Sequence, residues 1–385
     1  MVDERTISSS EYVFNLATPE DDAALRRLLR ENPVPGQQTL TYEREPNYLL
    51  GSSILGPLSQ TLVARHTPSG QVVGVATRSV RPLFVNGEVE NVGYIGQLRV
   101  DQSHRGRWIV PMGFRLFHQL HAADSINDSI NDGAATGYIT TIIEGNAEAE
   151  GILVEKARRH FPAYRRHDRL FTLALVVRRP RSVTANTFEI LSGDEVGLGE
   201  IVAFLHAQGR RKQFFPVLTA EDFRGDVTRD FNVADFAVAC RGDEILGVLG
   251  LWDQSRYKQT VVRAYGDQLA RLRPFYNVGA KVIGAQPLTA PGQPIHFAYA
   301  SFACIAEDDP SVFQALLTQL YNQAAERDFA FLMLGLTESD PLLTVARKWL
   351  HIPYTSTLYT VCWQGDEAWR EKLDGRPTYV ELATL

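Results

Sequence analysis

The sequence predicts an α/β chain in which one unit of strands and helices is used twice. Three observations predict it. The chain has 385 residues, too many for one such unit and comfortable for two. Strand and helix signals follow the same order in both halves. Between Gly93 and Phe114 a strand pattern runs through a basic, glycine-containing turn directly into a helix.

The first copy opens with a strand, Tyr12 to Ala17, and then Thr18-Pro-Glu-Asp21, where Thr caps a helix, Pro suits its first position and acids suit its positive end. The second copy opens with Thr187 to Leu191 and then Ser192-Gly-Asp-Glu195, which has the spacing of a capping box. Amphipathic runs follow, Ala23 to Leu29 and Val196 to His206. Two strands joined by a tight turn come next in each half: Leu62 to His66 with Gln71 to Ala76, and Ala237 to Arg241 with Glu244 to Leu249. A glycine recurs inside the second strand of each pair, at Gly74 and Gly247.

The later order repeats as well. Ile295 to Cys304 reads as a strand, Ser311 to Arg327 as a helix with apolar residues at helical spacing, Phe329 to Leu336 as a strand and Leu342 to Trp349 as a helix. A polar, proline-containing segment from Arg178 to Asn186 divides residues 1–180 from 181–385. Asp124 to Gly133 reads as an acidic surface loop, and Ala285 to Pro294 as a long connection between strands.

In the informative stretch, Tyr94 to Val100 is the strand, Gln102 to Arg107 the turn and Ile109 to His121 the helix, with Pro111 tolerated in the first turn. Backbone N–H groups at such a turn have no intrahelical partner and, with the helix dipole, favour an anion. Downstream, the β-rich run Tyr138 to Ile143 leads through Glu144-Gly-Asn146 into a helix carrying Ala149 and Leu153. These features resemble the acetyl-CoA pyrophosphate loop, and the Asn and Ala after the fifth strand, of the GNAT superfamily of N-acetyltransferases. Two features depart from the family's pattern: its later loop glycines fall at Trp108 and Val110, and its frequent catalytic Tyr falls near Leu153.

The resemblance covers nearly the whole chain and implies two tandem GNAT-like domains, each a mixed, mainly antiparallel sheet flanked by helices. It implies acetyl-CoA as acyl donor, aligned by the backbone of Leu98, Arg99 and Val100, with its phosphates held by Arg105, Gly106, Arg107 and Trp108 and with Asn146 beside it. Tyr94 and Glu144 flank the implied cleft and are the candidates for proton transfer. In some multidomain relatives the chain's terminal carboxylate reaches the active site, which makes Leu385 a further candidate. The second copy has Ala306-Glu-Asp-Asp-Pro-Ser311 at its equivalent turn, without Gly and with three carboxylates that repel a polyanionic cofactor. Its expected role is structure, substrate enclosure or assembly.

Composition narrows the function further. Acidic residues outnumber basic ones by 45 to 39, a net charge of −6, so neither nucleic acid nor an anionic membrane is an expected partner. Cys240, Cys304 and Cys362 are far apart, without metal-ligand spacing, and read as buried reduced thiols of a cytoplasmic protein. His118 and His121 lie one helical turn apart, but without a third ligand they read as solvent-facing helix residues and no metal is expected. The segments Tyr42 to Tyr48 and Trp252 to Thr260 read either as substrate-facing or, respectively, as an exposed turn and a domain seam.

The expected activity is direct transfer of an acyl group, acetyl first, from CoA to a small-molecule or peptide amine. The alternative is a non-catalytic ligand-binding or scaffolding protein on the same fold, motivated by Trp108, Val110 and Leu153.

Overall fold

In a computed structural model, residues 6–36, 38–126, 134–155, 161–182 and 187–385 are described. The first half supplies strands β1 (Thr6–Ser8), β2 (Tyr12–Leu16), β3 (Gln38–Glu43), β4 (Leu58–His66), β5 (Val72–Val85), β6 (Glu88–Val100), β7 (Gly137–Ile143) and β8 (Ala163–Val176). Its helices are α1 (Asp22–Glu31), α2 (Ile109–Ile126) and the single turn α3 (Ala147–Glu150). The second half supplies β9 (Glu189–Ser192), β10 (Phe236–Arg241), β11 (Glu244–Trp252), β12 (Gln259–Tyr265), β13 (Phe297–Ile305), β14 (Phe331–Thr337) and β15 (His351–Cys362). Its helices are α4 (Gly193–Val196), α5 (Leu198–Gly209), α6 (Asp267–Ile283), α7 (Pro310–Glu326), α8 (Leu343–Ala346) and α9 (Glu367–Glu371).

Local signals account for most of these elements. Ser192 N–H donates to Glu195 Oε2 at 2.7 Å, closing the capping box at the start of α4, and Thr18 N–H donates to Asp21 Oδ2 at 3.0 Å. Asp309 caps α7 by accepting from Ser311 N–H at 2.7 Å, and Pro310 fills the first position. The helix buries Val312, Phe313, Leu316, Leu317, Leu320, Tyr321 and Ala324, a stripe at the predicted spacing, against β10, β11 and β13. The elements β1, β3, β12, α6 and α9 carried no recognised signal. The helix expected at Leu342 to Trp349 shortens to α8. Of the acidic loop at Asp124 to Gly133, residues 127–133 lie outside the described residues, and residues up to Ile126 continue α2.

Thirteen strands form one sheet in the order β1-β2-β4-β5-β6-β7-β15-β8-β14-β13-β11-β10-β9. Neighbours are antiparallel except at two places, β6 with β7 and β13 with β14. The two parallel pairs are copies of each other: Val92 faces Gly137 and Tyr94 faces Ile139, as Phe297 faces Phe331 and Tyr299 faces Met333. After these short ladders both pairs diverge. Just beyond, the register of each first strand is broken by a residue at positive φ, Gln97 at 56° and Phe302 at 58°.

The recurring glycines obey the same correspondence, since Gly74 faces Val100 and Gly247 faces Ile305. A Cβ at Gly74 would lie 3.2 Å from Ile109 in α2, and one at Gly247 would lie 2.8 Å from Val312 in α7. Each glycine therefore lets the following helix settle onto its sheet.

The halves are joined by exchange. β8, the last strand before the residue-180 divide, pairs with β14 and β15 and with no strand of its own half. β15 in turn lies between β7 and β8. A second, two-stranded sheet pairs β3 with β12, setting Tyr42 opposite Thr260 and Glu43 opposite Gln259. The segments Tyr42 to Tyr48 and Trp252 to Thr260 thus meet at the seam, where Gln259 exchanges side-chain hydrogen bonds of 2.9 Å with the backbone of Glu45. No helix among the described residues is long and apolar enough to cross a membrane.

Candidate active site

The divergence of β6 from β7 opens a cleft at the middle of the sheet, with Leu98, Arg99 and Val100 on one side and Thr141 to Glu144 on the other. Beyond β6, Asp101 accepts from Ser103 N–H at 2.9 Å and starts a 3-10 turn, Gln102–His104. Gly106 has φ 75° with nothing near a hypothetical Cβ, so the loop takes the left-handed step that glycine permits and leaves that side open. Trp108, which takes the place of a glycine, is 70% exposed. Val110, in the first turn of α2, lines an apolar cavity with Phe14, Leu62, Leu98, Val100 and Phe114.

Arg105 and Arg107 are exposed but engaged. Arg105 lies 3.4 Å from Glu148, and Arg107 donates to Tyr12 Oη at 3.1 Å and lies 3.7 Å from Glu11. These contacts are solvent-exposed and weak, so they yield readily to a phosphate. Asn146 uses its side-chain oxygen to cap α3, accepting from Ala149 N–H at 3.2 Å.

Tyr94 spans the cleft floor, its hydroxyl 3.0 Å from Thr141 Oγ1. Burial pushes its pKa above the ordinary phenol value, and the bonds to Thr141 only partly offset that. It also lines a cavity shared with Arg81, Ile139, Phe214, Glu381 and Leu385. Glu144 lies just past the end of β7, three residues beyond Thr141 or roughly 10 Å. Arg169 holds it through Nε at 2.8 Å and Nη2 at 3.0 Å, with Arg166 at 3.7 Å, and this clamp keeps its carboxyl below the ordinary range. Tyr94 and Glu144 are therefore not brought to one reacting atom, and a clamped, ionised Glu144 is a weak proton acceptor.

The corresponding places in the second half are filled from within. Glu381 is buried and its Oε2 accepts from Phe302 N–H at 2.8 Å and from the Tyr379 hydroxyl at 2.6 Å, while Oε1 accepts from Ala383 N–H at 3.1 Å. At the turn before α7, Asp308 lies 3.4 Å from the buried ammonium of Lys212, which also bonds Asp340 at 2.8 Å, and Glu307 pairs with Arg211. Two of the three carboxylates expected to repel a cofactor are thus paired with this chain's own cations, and the third, Asp309, caps α7. Sequence reading missed Glu381 and Lys212 because both act across large separations, with no local spacing to mark them.

His121 corrects its expectation. It is buried, bonding Tyr138 Oη at 3.0 Å through Nδ1 and Asp366 at 2.9 Å through Nε2, because α2 packs on β7 and on the Trp363 to Asp366 turn. His118 packs against the Trp363 ring, with centroids 5.0 Å apart. The three cysteines are buried and free, and burial raises the thiols of Cys304 to about 12 and Cys362 to about 11.

No family model and no curated protein sequence matches the chain. Solved structures do. Saccharomyces cerevisiae N-myristoyltransferase with bound myristoyl-CoA superposes with a TM-score of 0.58 at 10% identity, over 94% of this chain and 85% of that one. A GCN5-related glucosamine N-acetyltransferase region of a fungal multi-domain β-N-acetylglucosaminidase gives 0.57 at 13% identity, over 92% of this chain but only 38% of that one. The chain has a tandem GNAT fold. Diverging parallel strands occur in both halves, and at the second bulge the N–H of Phe302 is taken by a carboxylate side chain of the same chain.

Proposed function

We propose that the chain is an acyl-CoA-dependent N-acyltransferase whose first half holds the donor and passes the acyl group, acetyl in the first instance, directly to a small-molecule or peptide amine. The observation that carries this reading is the contrast between the halves. The first keeps a diverging strand pair, a bulge at Gln97 and an open loop at Gly106 with two exposed arginines, whereas Glu381 and the Lys212 ion pairs fill the second. The residues present suit acyl-CoA: Arg105, Gly106 and Arg107 would hold its phosphates, and the backbone at Gln97 and Leu98 would face the acyl end. When bound, the donor supplies a thioester, an acyl group already activated towards an amine.

The chain's own residues supply the rest. At the second bulge a backbone N–H demonstrably holds a carboxylate oxygen, and the Gln97 bulge has the same geometry for an oxygen that gains charge during acyl transfer. Tyr94, kept protonated by burial, can give its proton to a departing thiolate as the amine's nitrogen–carbon bond forms and the carbon–sulfur bond breaks, and the proton that the nitrogen loses passes through solvent to restore the Tyr94 hydroxyl. Glu144, ionised and paired with Arg169, positions that arginine at the end of β7 beside the cleft. Titration of the purified protein with acetyl-CoA tests the reading: saturable binding followed by thiol release with an amine supports it, and no binding at millimolar donor removes it. Repeating the titration with longer acyl-CoAs tests acetyl as the acyl group.

A further inference from the structure

Two arginines, Arg44 just past β3 and Arg99 in β6, have no acidic partner among the described residues. Arg44 is 3% exposed; it stacks on Tyr48, 4.7 Å from the ring centroid, and donates Nη1 to Ser52 Oγ at 3.1 Å. Arg99, at the mouth of the cleft, lies 6.0 Å from the Tyr42 ring centroid and donates Nη1 to the Leu98 carbonyl at 2.8 Å. The nearby acids are committed elsewhere. Glu43 and Glu45 pair with Arg26, Arg30 and Arg263, and Glu381 takes its three donors as described. Lys258 is likewise occupied, donating to backbone oxygens of Ala383 and Leu385 at 3.2 and 2.8 Å.

Desolvation lowers the proton affinity of Arg99; Tyr42 and Tyr48 oppose that, while Arg105 and Arg44 lie close enough to add to it. A partly desolvated cation that faces other cations, in a chain of net charge −6, is costly without a counter-charge. Around Arg99 stands an aromatic wall. Tyr42 and Tyr354 are 38% and 44% exposed, and Tyr354 is near enough to raise the Tyr42 pKa. Ile143 is exposed opposite Ser356, two residues along the same strand from Tyr354.

We propose that the acceptor amine also carries an anionic group, a carboxylate or phosphate, which Arg99 grips between Tyr42 and Tyr354 while Arg44 supplies positive potential from behind. The word acceptor rests on the acyltransferase reading; the anion seat does not. The planar guanidinium fork matches either anion, and the tyrosine rings suit an apolar or aromatic body attached to it. Phosphates of CoA are the other source of such an anion, because Arg105 links this place to the pyrophosphate loop.

Calorimetry with phenylacetate and its neutral isostere phenylacetamide separates these cases. The expected result is at least about tenfold tighter binding of phenylacetate, the preference of a charge-assisted bond. Arg99→Gln should abolish the preference, Arg99→Lys should keep part of it, and circular dichroism should show both variants folded. Equal affinity for the two probes, no binding of either, or a preference unchanged in Arg99→Gln overturns the seat. Titrations repeated with CoA or pantetheine present should leave phenylacetate binding intact. Exclusion by CoA but not by pantetheine assigns the seat to CoA phosphates and overturns the acceptor proposal. Selective phenylacetate binding in a protein that binds no acetyl-CoA supports the anion seat and removes only the acyltransferase reading.

Discussion

Glu381 Oε2 receives the backbone N–H of Phe302 at 2.8 Å, at the bulge that corresponds to Gln97 in the first half. One chain thus presents the same backbone device twice, once filled by its own carboxylate and once facing an open cleft. Glu381→Leu leaves three donors without an acceptor, at about 1–3 kcal/mol for each that stays buried. Thermal denaturation should show a loss of several degrees or a failure to fold. Glu381→Gln keeps an acceptor oxygen and should lose much less; equal losses would show that the hydrogen bonds are not what anchors this segment.

The strand exchange predicts that residues 1–180 do not make a stable domain alone. β8 pairs only with β14 and β15, and without β15 the edge of β7 is bare. The isolated fragment should be insoluble or lack a cooperative melt. A monomeric fragment with a sharp transition and native acetyl-CoA affinity would contradict this.

Charge reversal at the loop should separate the two halves. Arg105→Glu places an anion at the proposed phosphate cradle and should weaken CoA by at least about tenfold. Asp308→Ala should leave CoA affinity unchanged, while removing one of two carboxylates from buried Lys212 lowers the melting temperature. Comparable losses of CoA affinity from both would place the cofactor outside the first half.

Tyr94→Phe removes the proposed proton donor with little change in shape. Turnover should fall by about 10²-fold, the usual scale for a general acid, with CoA affinity preserved. Glu144→Gln loosens Arg169 and should lower turnover while CoA affinity is preserved. Unchanged kinetics in both variants would remove both residues from the mechanism.

The burial of His121 predicts a pH effect on stability. Its pKa is lowered mainly by desolvation, against the opposing pull of Asp366. Below the unfolded value of 6.5 the unfolded state takes up more protons, so the stability held above that pH is lost as pH falls through the folded pKa. Chemical denaturation from pH 7.5 down to 5 should show a steeper loss for the native protein than for His121→Gln. Parallel curves would mean that His121 does not titrate differently on folding.

The amino-acid sequence by itself determined the elements that rest on neighbours in the chain. The capping boxes at Thr18 and Ser192, the α7 stripe and the strand-turn-helix at Gly106 are local, because caps, periodicity and left-handed glycines need only a few adjacent residues. The repeat itself was legible in Gly74 and Gly247, since each must admit the helix that follows. Tertiary structure alone decided the rest. Which strand lies beside β7, which carboxylate meets the Phe302 bulge, that Arg169 clamps Glu144 and that His121 turns inward all depend on groups 25 to 245 residues apart. Exchange of β8 and β15 buries both strands within one continuous sheet, and no spacing within either strand encodes the identity of its neighbour.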